Sequence, residues 1–262
     1  MPDIIATAEP TFTAVMKIPD ERLHWFNNCA ITVRTIAAAA DSFQTKSRVL
    51  DVLQNLSDDP AHTFLKSWYR FGMDNFGEYW RYLDARAVLN TYSYLAKPRN
   101  YLEIGIRNGM SLCMVASACP SVDIVAFDLF QEDYGKMPLH GPDHIRSEIE
   151  KFNHSGSLTL IAGDSHATVP EFLKQHSEDT FDLIFVDGDH SADGAKNDLE
   201  TVVSSLSYGG MIVFDNICNP NCHGLYDVWK DFSSSHDELD CISFMDGGNG
   251  VAFGLKTATH PN

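Results

Sequence analysis

Two apolar runs end on carboxylates: FDLIFVDGDH (181–190) stops at Asp187, and GGMIVFDN (209–216) stops at Asp215 with Asn216 directly after it. In a parallel sheet, strand ends of this kind lie at the carboxyl edge, where open α/β proteins bind their ligands. Two Asp and one Asn converging there offer hard oxygen ligands of the sort that Mg²⁺ or Ca²⁺ takes. A third run, YLEIGIRNG (101–109), passes from a strand into a glycine turn and then a helix. The three together describe a cofactor site with a metal site beside it.

The glycine turn carries Glu103 at the strand end, Gly105 for a tight turn and Gly109 at the start of the next helix. Glycine at these places lets a ligand approach the backbone. The spacing departs from G-x-G-x-x-G, so no nicotinamide site is expected. The next strand, VDIVAFD, ends at Asp128. In a doubly wound fold that is the place of the carboxylate that hydrogen-bonds a ribose diol. After the third strand comes Ala162-Gly163-Asp164-Ser165. Asp164 there is suited to accept from an adenine amino group, or, with Ser165 and Thr168, to cap the helix that follows. His190 follows Asp187 by one short turn and, on its residues alone, is equally a loop histidine capping a helix at 192–206.

These residues need a scaffold. From 100 onward strands are predicted at 100–104, 122–128, 158–162, 181–187, 209–215, 240–245 and 250–255. Helices are predicted near 109–118, 142–153, 168–176, 192–206 and 222–234. Alternation of this kind implies right-handed βαβ units and a mostly parallel sheet. The last two strands are joined by Asp246-Gly-Gly-Asn-Gly250, too short for a helical crossover, so they form an antiparallel hairpin. Residues 1–20 show no periodicity and read as a loose arm. Residues 21–57 read as helical with a break near 41–47, and 61–96 as helical and rich in aromatics. The chain therefore divides into a helical N-terminal extension (1–98), serving as a cap or an oligomer contact, and an α/β domain (99–262). The aromatic block at 64–94 is expected to pack against the neighbouring domain or subunit.

A chain of 262 residues, 44% hydrophobic, can bury a sizeable core. Its net charge of −17 argues against a nucleic-acid partner and gives no polybasic handle for an anionic membrane. No apolar run approaches the ~18 residues of a membrane span. The N-terminus lacks the pattern of a signal peptide. Cys29, Cys113, Cys119, Cys218, Cys222 and Cys241 are scattered and read as reduced thiols of a cytoplasmic protein. Cys218, Cys222 and His223 lack a second cysteine pair for a tetrahedral zinc site, and their loop is expected to line a substrate pocket. The 134–144 loop, with Tyr134, Met137, His140 and His144, is expected at the same edge. Lys196 and Asp198 are expected at the surface.

The ordered set EIGIRNG, the Asp128 strand end, AGDS, FVDGDH, GGMIVFDN and the terminal hairpin resembles the class I S-adenosylmethionine-dependent methyltransferases. The last motifs are similar to the divalent-metal-dependent O-methyltransferases acting on catechols, caffeoyl-CoA and macrolide sugars. FVDGDHSADGAKNDLE is particularly similar to the macrocin-type sugar branch. The resemblance covers 100–255 and implies a Rossmann-like α/β fold of seven strands. It implies that Glu103, Gly105, Gly109, Asp128, Asp164, Ser165 and Asp187 hold S-adenosylmethionine. It further implies that Asp187, Asp215 and Asn216 hold Mg²⁺ or another divalent cation, and that His190 is the base. The acceptor it implies is a small molecule with vicinal hydroxyls, such as a sugar, glycoside or polyketide-type metabolite, acted on by a homo-oligomer. Two other readings stay open: a metal-dependent hydroxylase on the same scaffold, and a non-catalytic cofactor-binding protein.

Overall fold

Seven strands form one sheet in the order β3-β2-β1-β4-β5-β7-β6. They are β1 (Asn100–Ile104), β2 (Asp123–Asp128), β3 (Leu158–Ala162), β4 (Phe181–Val186), β5 (Leu206–Asp215), β6 (Leu239–Phe244) and β7 (Val251–Lys256). The computed structural model describes residues 31–131 and 140–257. Strands β1 to β5 pair in parallel, and β7 runs antiparallel to both β5 and β6. This is the expected Rossmann-like sheet with its terminal hairpin. Strand order reverses between β1 and β4, and a crevice opens beyond their carboxyl ends at such a switch point. Gly105 follows β1 and Asp187 follows β4 at that place.

Side chains alternate across the sheet, as the period of a strand requires. Tyr101, Leu183, Met211, Val213 and Phe253 belong to one apolar cluster, while Leu102, Ile184, Ile212 and Phe214 belong to the other. The second cluster is completed by α8 (Ala192–Val202) and α9 (Leu225–Ser235), through Leu199 and Trp229. The first is completed largely by the N-terminal helices α1 (Val33–Ala40), α2 (Phe43–Asn55), α3 (Pro60–Phe76) and α4 (Ala85–Ala96). Ile36, Leu53, Tyr69 and Leu89 are buried in the same cluster as the sheet. Tyr92 on α4 reaches the sheet itself and donates its hydroxyl to the carbonyls of Asp182 and Gly209, at 2.9 and 3.0 Å.

The sequence predicts one helical stretch over 61–96, and the structure divides it. Gly77 adopts φ 54°, a short 3-10 turn follows at Gly77–Tyr79, and the chain is non-helical until α4 starts. Asp84 caps α4 through the amide of Ala87 at 3.0 Å. The predicted break near 41–47 falls at Asp41 and Ser42, where Ser42 caps α2. The helical reading of 21–30 and the loose arm of 1–20 lie outside the described residues.

The divided stretch also divides the aromatic block. Tyr69, Trp80, Tyr82 and Tyr92 are buried, whereas Phe64, Phe71, Phe76 and Tyr79 are exposed. Trp80 and Tyr82 stack at 5.1 Å, with Tyr69 edge-on to both. Trp80 lies so close to α3 that a Cβ on Gly72 would stand 2.0 Å from its ring. Gly72→Ala is therefore expected to destabilise the fold by about 1–3 kcal/mol through overpacking. Urea denaturation measures this, and an unchanged midpoint would mean that the ring yields without cost.

Candidate active site

The carboxyl ends of β1, β4 and β5 bring the acidic motifs together. Asn216 follows β5 with φ 65°, a left-handed conformation that Asn tolerates better than most residues. The turn sends its amide back to Asp187, where Nδ2 donates to Oδ1 at 2.7 Å. His190 Nε2 stands 3.1 Å from the same oxygen and 3.3 Å from Asn216 Nδ2. Asp215 is buried beside this group, and desolvation, with the Asp187 charge adding to it, pushes its carboxyl up to about 7. The hydrogen bond to Asp187 raises the pKa of His190 above the ordinary histidine value, against the effect of burial.

Two carboxylates are thus forced together, and the cations that face them are Arg86, whose charge acts on Asp215, and His190 beside Asp187. Among the described residues no group of three or more His, Cys, Asp or Glu side chains is placed to hold a metal ion. The donors that converge are instead two carboxylates and an amide. Asn216 Oδ1 now accepts from Asn219 Nδ2 at 3.0 Å, and a half-turn of the amide exchanges its nitrogen and oxygen. That donor set is hard and oxygen-rich, which fits a small divalent cation.

On the other side of Asp187 lies a narrow cavity of about 110 Å³. Its walls are Gly105, Ile106, Arg107, Asn108, Ser111 and Asp187 on the sheet side, with His62 from α3 and Arg86 from α4 opposite. Gly105 has φ 89°, and a Cβ there would stand 2.1 Å from the Asp187 carbonyl. The glycine is what allows the β1 turn to meet the β4 end. Glu103 is fully buried and accepts from the hydroxyls of Tyr101 and Ser111, and burial pushes its carboxyl up to about 8. It faces the interior, so its influence on a ligand passes through Ser111. Gly109 starts the following helix, α5 (Met110–Ala118), at φ 78°.

Asp128 sets the shape of the glycine loop. Its Oδ2 accepts from the amides of Ile106 and Arg107, at 2.8 and 2.7 Å, and its Oδ1 from that of Phe130 at 2.7 Å. A ribose contact would share a carboxylate already engaged by these amides. His140 and His144, at the start of α6 (Gly141–Glu150), pack together at 4.5 Å. They touch the glycine loop through the His140 amide and Asn108 Oδ1. The helix-cap reading of Asp164 is visible directly: it caps α7 (Ser165–Gln175) and accepts from the amide of His166 at 2.9 Å. Ser165 donates its hydroxyl to Asp198 at 2.9 Å.

Asp198 corrects the sequence reading, which places it at the surface. Its side chain is 1% exposed, and burial raises its pKa. One helical turn separates it from Gly194, so it lies on the buried stripe of α8, where an unpatterned Asp is easily misread as solvent-facing. The Cys218–Cys222 loop packs against the final hairpin, with the Cys218 amide donating to the Asn249 carbonyl at 2.7 Å, and neither cysteine lines the cavity. Cys113, Cys119, Cys218, Cys222 and Cys241 are free thiols. Tyr134, Met137 and Cys29 lie outside the described residues.

The helical segment contributes what the sequence reading missed. Asp59, the cap of α3, accepts from Asn108 Nδ2 at 3.0 Å and lies 3.8 Å from Arg107 Nη2, so it braces the glycine loop. Arg86 enters from the first turn of α4. A cation there opposes the helix dipole, and that mismatch is the signal that could have marked it.

Residues 102–217 match a family described as a methyltransferase domain. Residues 102–217 are thus similar to methyltransferase domains. Caffeoyl-CoA O-methyltransferase 1 of Eucalyptus globulus is 27% identical over 135 residues, covering 51% of this chain and 50% of that protein. The chain thus matches about half the length of that curated relative. The methyltransferase domain also shares its fold with two solved structures. The O-methyltransferase TomG of Streptomyces achromogenes, solved with S-adenosylmethionine, has a TM-score of 0.53 at 18% identity, covering 78% of this chain and 92% of that one. CalS11, a TDP-rhamnose 3'-O-methyltransferase of calicheamicin biosynthesis, has a TM-score of 0.51 at 20% identity, covering 81% and 93%. No described helix is long and apolar enough to cross a membrane.

Proposed function

We propose that the chain is an S-adenosylmethionine-dependent O-methyltransferase that uses a divalent cation, Mg²⁺ in the first instance, on a small acceptor with adjacent hydroxyls. The observation that carries this reading is the convergence of Asp187, His190 and Asn216, with Asp215 behind them, at the mouth of a cavity built on the glycine loop. Asp187, Asp215 and Asn216 would hold the cation, whose chemistry is to acidify a hydroxyl and stabilise the alkoxide. Gly105, Gly109, Asp128, Asp164 and Ser165 would shape the cofactor site, with Glu103 acting through Ser111. S-Adenosylmethionine supplies the activated methyl group.

The residues of the chain then have three tasks. His190 accepts the acceptor's proton at Nε2. Asp187, 3.1 Å from that nitrogen, stabilises the imidazolium once the proton is taken, and forms one wall of the cavity. The cavity walls align acceptor and methyl donor and exclude water, which is where positioning lowers the barrier. Two oxygens on neighbouring carbons can chelate one cation, and this is the physical case for a sugar, glycoside or polyketide-type diol. The helical segment would serve as the cap on this site, and its exposed aromatics as a contact between copies in a homo-oligomer.

Calorimetric titration with S-adenosylmethionine and S-adenosylhomocysteine, with Mg²⁺ and with EDTA, tests the cofactor reading. Micromolar binding of both is expected, followed by Mg²⁺-dependent release of S-adenosylhomocysteine with a diol acceptor. Absence of binding in both conditions would overturn the reading. Asp128→Ala is expected to weaken S-adenosylhomocysteine roughly 10- to 100-fold, the scale of one charge-assisted hydrogen bond. Unchanged affinity would remove Asp128 from the cofactor site.

A further inference from the structure

The cofactor site is acid-dense. Asp128, Asp187 and Asp215 cluster around the ends of β2, β4 and β5. That field suits the sulfonium and the α-ammonium of S-adenosylmethionine, and it opposes the cofactor's α-carboxylate. A site binding this zwitterion needs a compensating donor at one end. The sheet side offers little: the Ser111 hydroxyl is given to Glu103, and Asn108 Nδ2 to Asp59. Arg107 lies 3.8 Å from Asp59, and His62 is held by its Nδ1 at 2.9 Å from the Ser57 carbonyl.

Arg86 is differently placed. Its side chain is 21% exposed and lines the cavity opposite the glycine loop and Asp187. Its Nε donates to Asp84 Oδ2 at 2.9 Å, and the guanidinium also meets the Tyr82 hydroxyl and acts on the Asp215 charge. Asp84 is itself fixed, accepting from the Tyr69 hydroxyl at 3.0 Å and from the Ala87 amide at 3.0 Å. A guanidinium has five N–H donors in a planar fork, and anchoring one edge pre-sets the direction of the rest. We propose that Arg86, delivered by the helical segment, is the positioning residue that receives the α-carboxylate of the cofactor. This rests on the methyltransferase reading above. It also gives the helical segment a task at the cofactor as well as at the acceptor: the site is complete only when α4 is docked on the sheet.

The test is calorimetry in EDTA with S-adenosylhomocysteine and with its decarboxylated analogue, on the wild type, Arg86→Met and Arg86→Lys. The wild type is expected to bind the analogue roughly 10- to 100-fold more weakly than S-adenosylhomocysteine. Arg86→Met is expected to lose that factor toward S-adenosylhomocysteine and to show no further loss with the analogue. Arg86→Lys, which keeps the charge and loses the fork, should fall between and serves where the Met variant does not fold. Equal weakening of both ligands by either variant would make Arg86 a structural support and overturn the proposal. So would unchanged binding of both, the result expected if the guanidinium instead meets an anionic group on the acceptor. A wild type that binds neither ligand would sink the cofactor reading, whereas a wild type that binds both equally would sink only the role of Arg86.

Discussion

Asp215→Ala is expected to abolish turnover, by at least roughly 100-fold, while leaving affinity for S-adenosylhomocysteine nearly unchanged. The asymmetry follows from where Asp215 sits. It closes β5, is 6% exposed and does not line the cavity wall, so a bound cofactor has no contact with it to lose. Its partners are Asp187 and Asn216, the groups proposed to share a cation. Equal loss of turnover and cofactor affinity would show that Asp215 supports the site as a whole, and would remove it from the cation set.

The same residue makes a second, sign-definite forecast about stability. Its carboxyl is raised from 3.8 to about 7 by burial and the Asp187 charge. The folded state therefore keeps a proton that the unfolded state releases near pH 4. Stability contributed by that proton is present below pH 4 and is lost as pH rises through about 7. A tenfold difference in proton affinity between the two states corresponds to about 1.4 kcal/mol. Asp215→Asn, which mimics the protonated form, should then be more stable than the wild type at pH 8 in EDTA, and the difference should shrink at pH 4. Mg²⁺ should raise the melting temperature of the wild type and leave the variant much less affected. Thermal melts across pH, with EDTA and with Mg²⁺, read all of this. A Mg²⁺ response as large in the variant as in the wild type would place the cation elsewhere.

The sheet is the most legible part of the chain, because its signals are local. Each parallel strand is a short run of apolar residues with a turn at its end, and a strand buried on both faces reads as continuous hydrophobicity. The strand termini follow, and with them Asp128, Asp187 and Asp215, since a carboxylate at a strand end is fixed by the strand itself. The pairing of Asn216 with Asp187 is legible only as adjacency. Its cause is the left-handed turn at Asn216, which the sequence permits without demanding.

Contributions from the helical segment are hidden for a different reason. Asp59 and His62 reach the site through docking of the helical segment, a long-range contact with no local signature, and the one local trace of Arg86 is a cation in the first turn of α4. Asp128 shows a related limit. A carboxylate at its position can serve a ligand or the backbone, and three amides in the structure show the second use. Asp198 misleads because charge in a helical pattern is normally solvated, whereas here Ser165 gives it a buried partner.

His190→Ala is expected to lower kcat about 10²- to 10⁴-fold, the usual contribution of a general base, with cofactor affinity preserved. One geometric detail makes the imidazole suited to the work. Its Nε2 has a carboxylate oxygen at 3.1 Å on one side and an amide nitrogen at 3.3 Å on the other. The protonated ring can donate to Asp187, so the nitrogen has a partner once it has taken a proton. Asp187 raises the pKa of this ring through its hydrogen bond and charge. A cation that takes up the Asp187 charge reverses that effect. The acid limb of the kcat profile should therefore move to lower pH as saturating Mg²⁺ replaces a weakly bound cation, and should vanish in His190→Ala. Glutamine, which fills similar space without titrating near neutrality, should behave as alanine does. A variant that keeps both the limb and a rate within about tenfold of wild type would return His190 to a loop residue beside α8, and would require the proton to leave by another group.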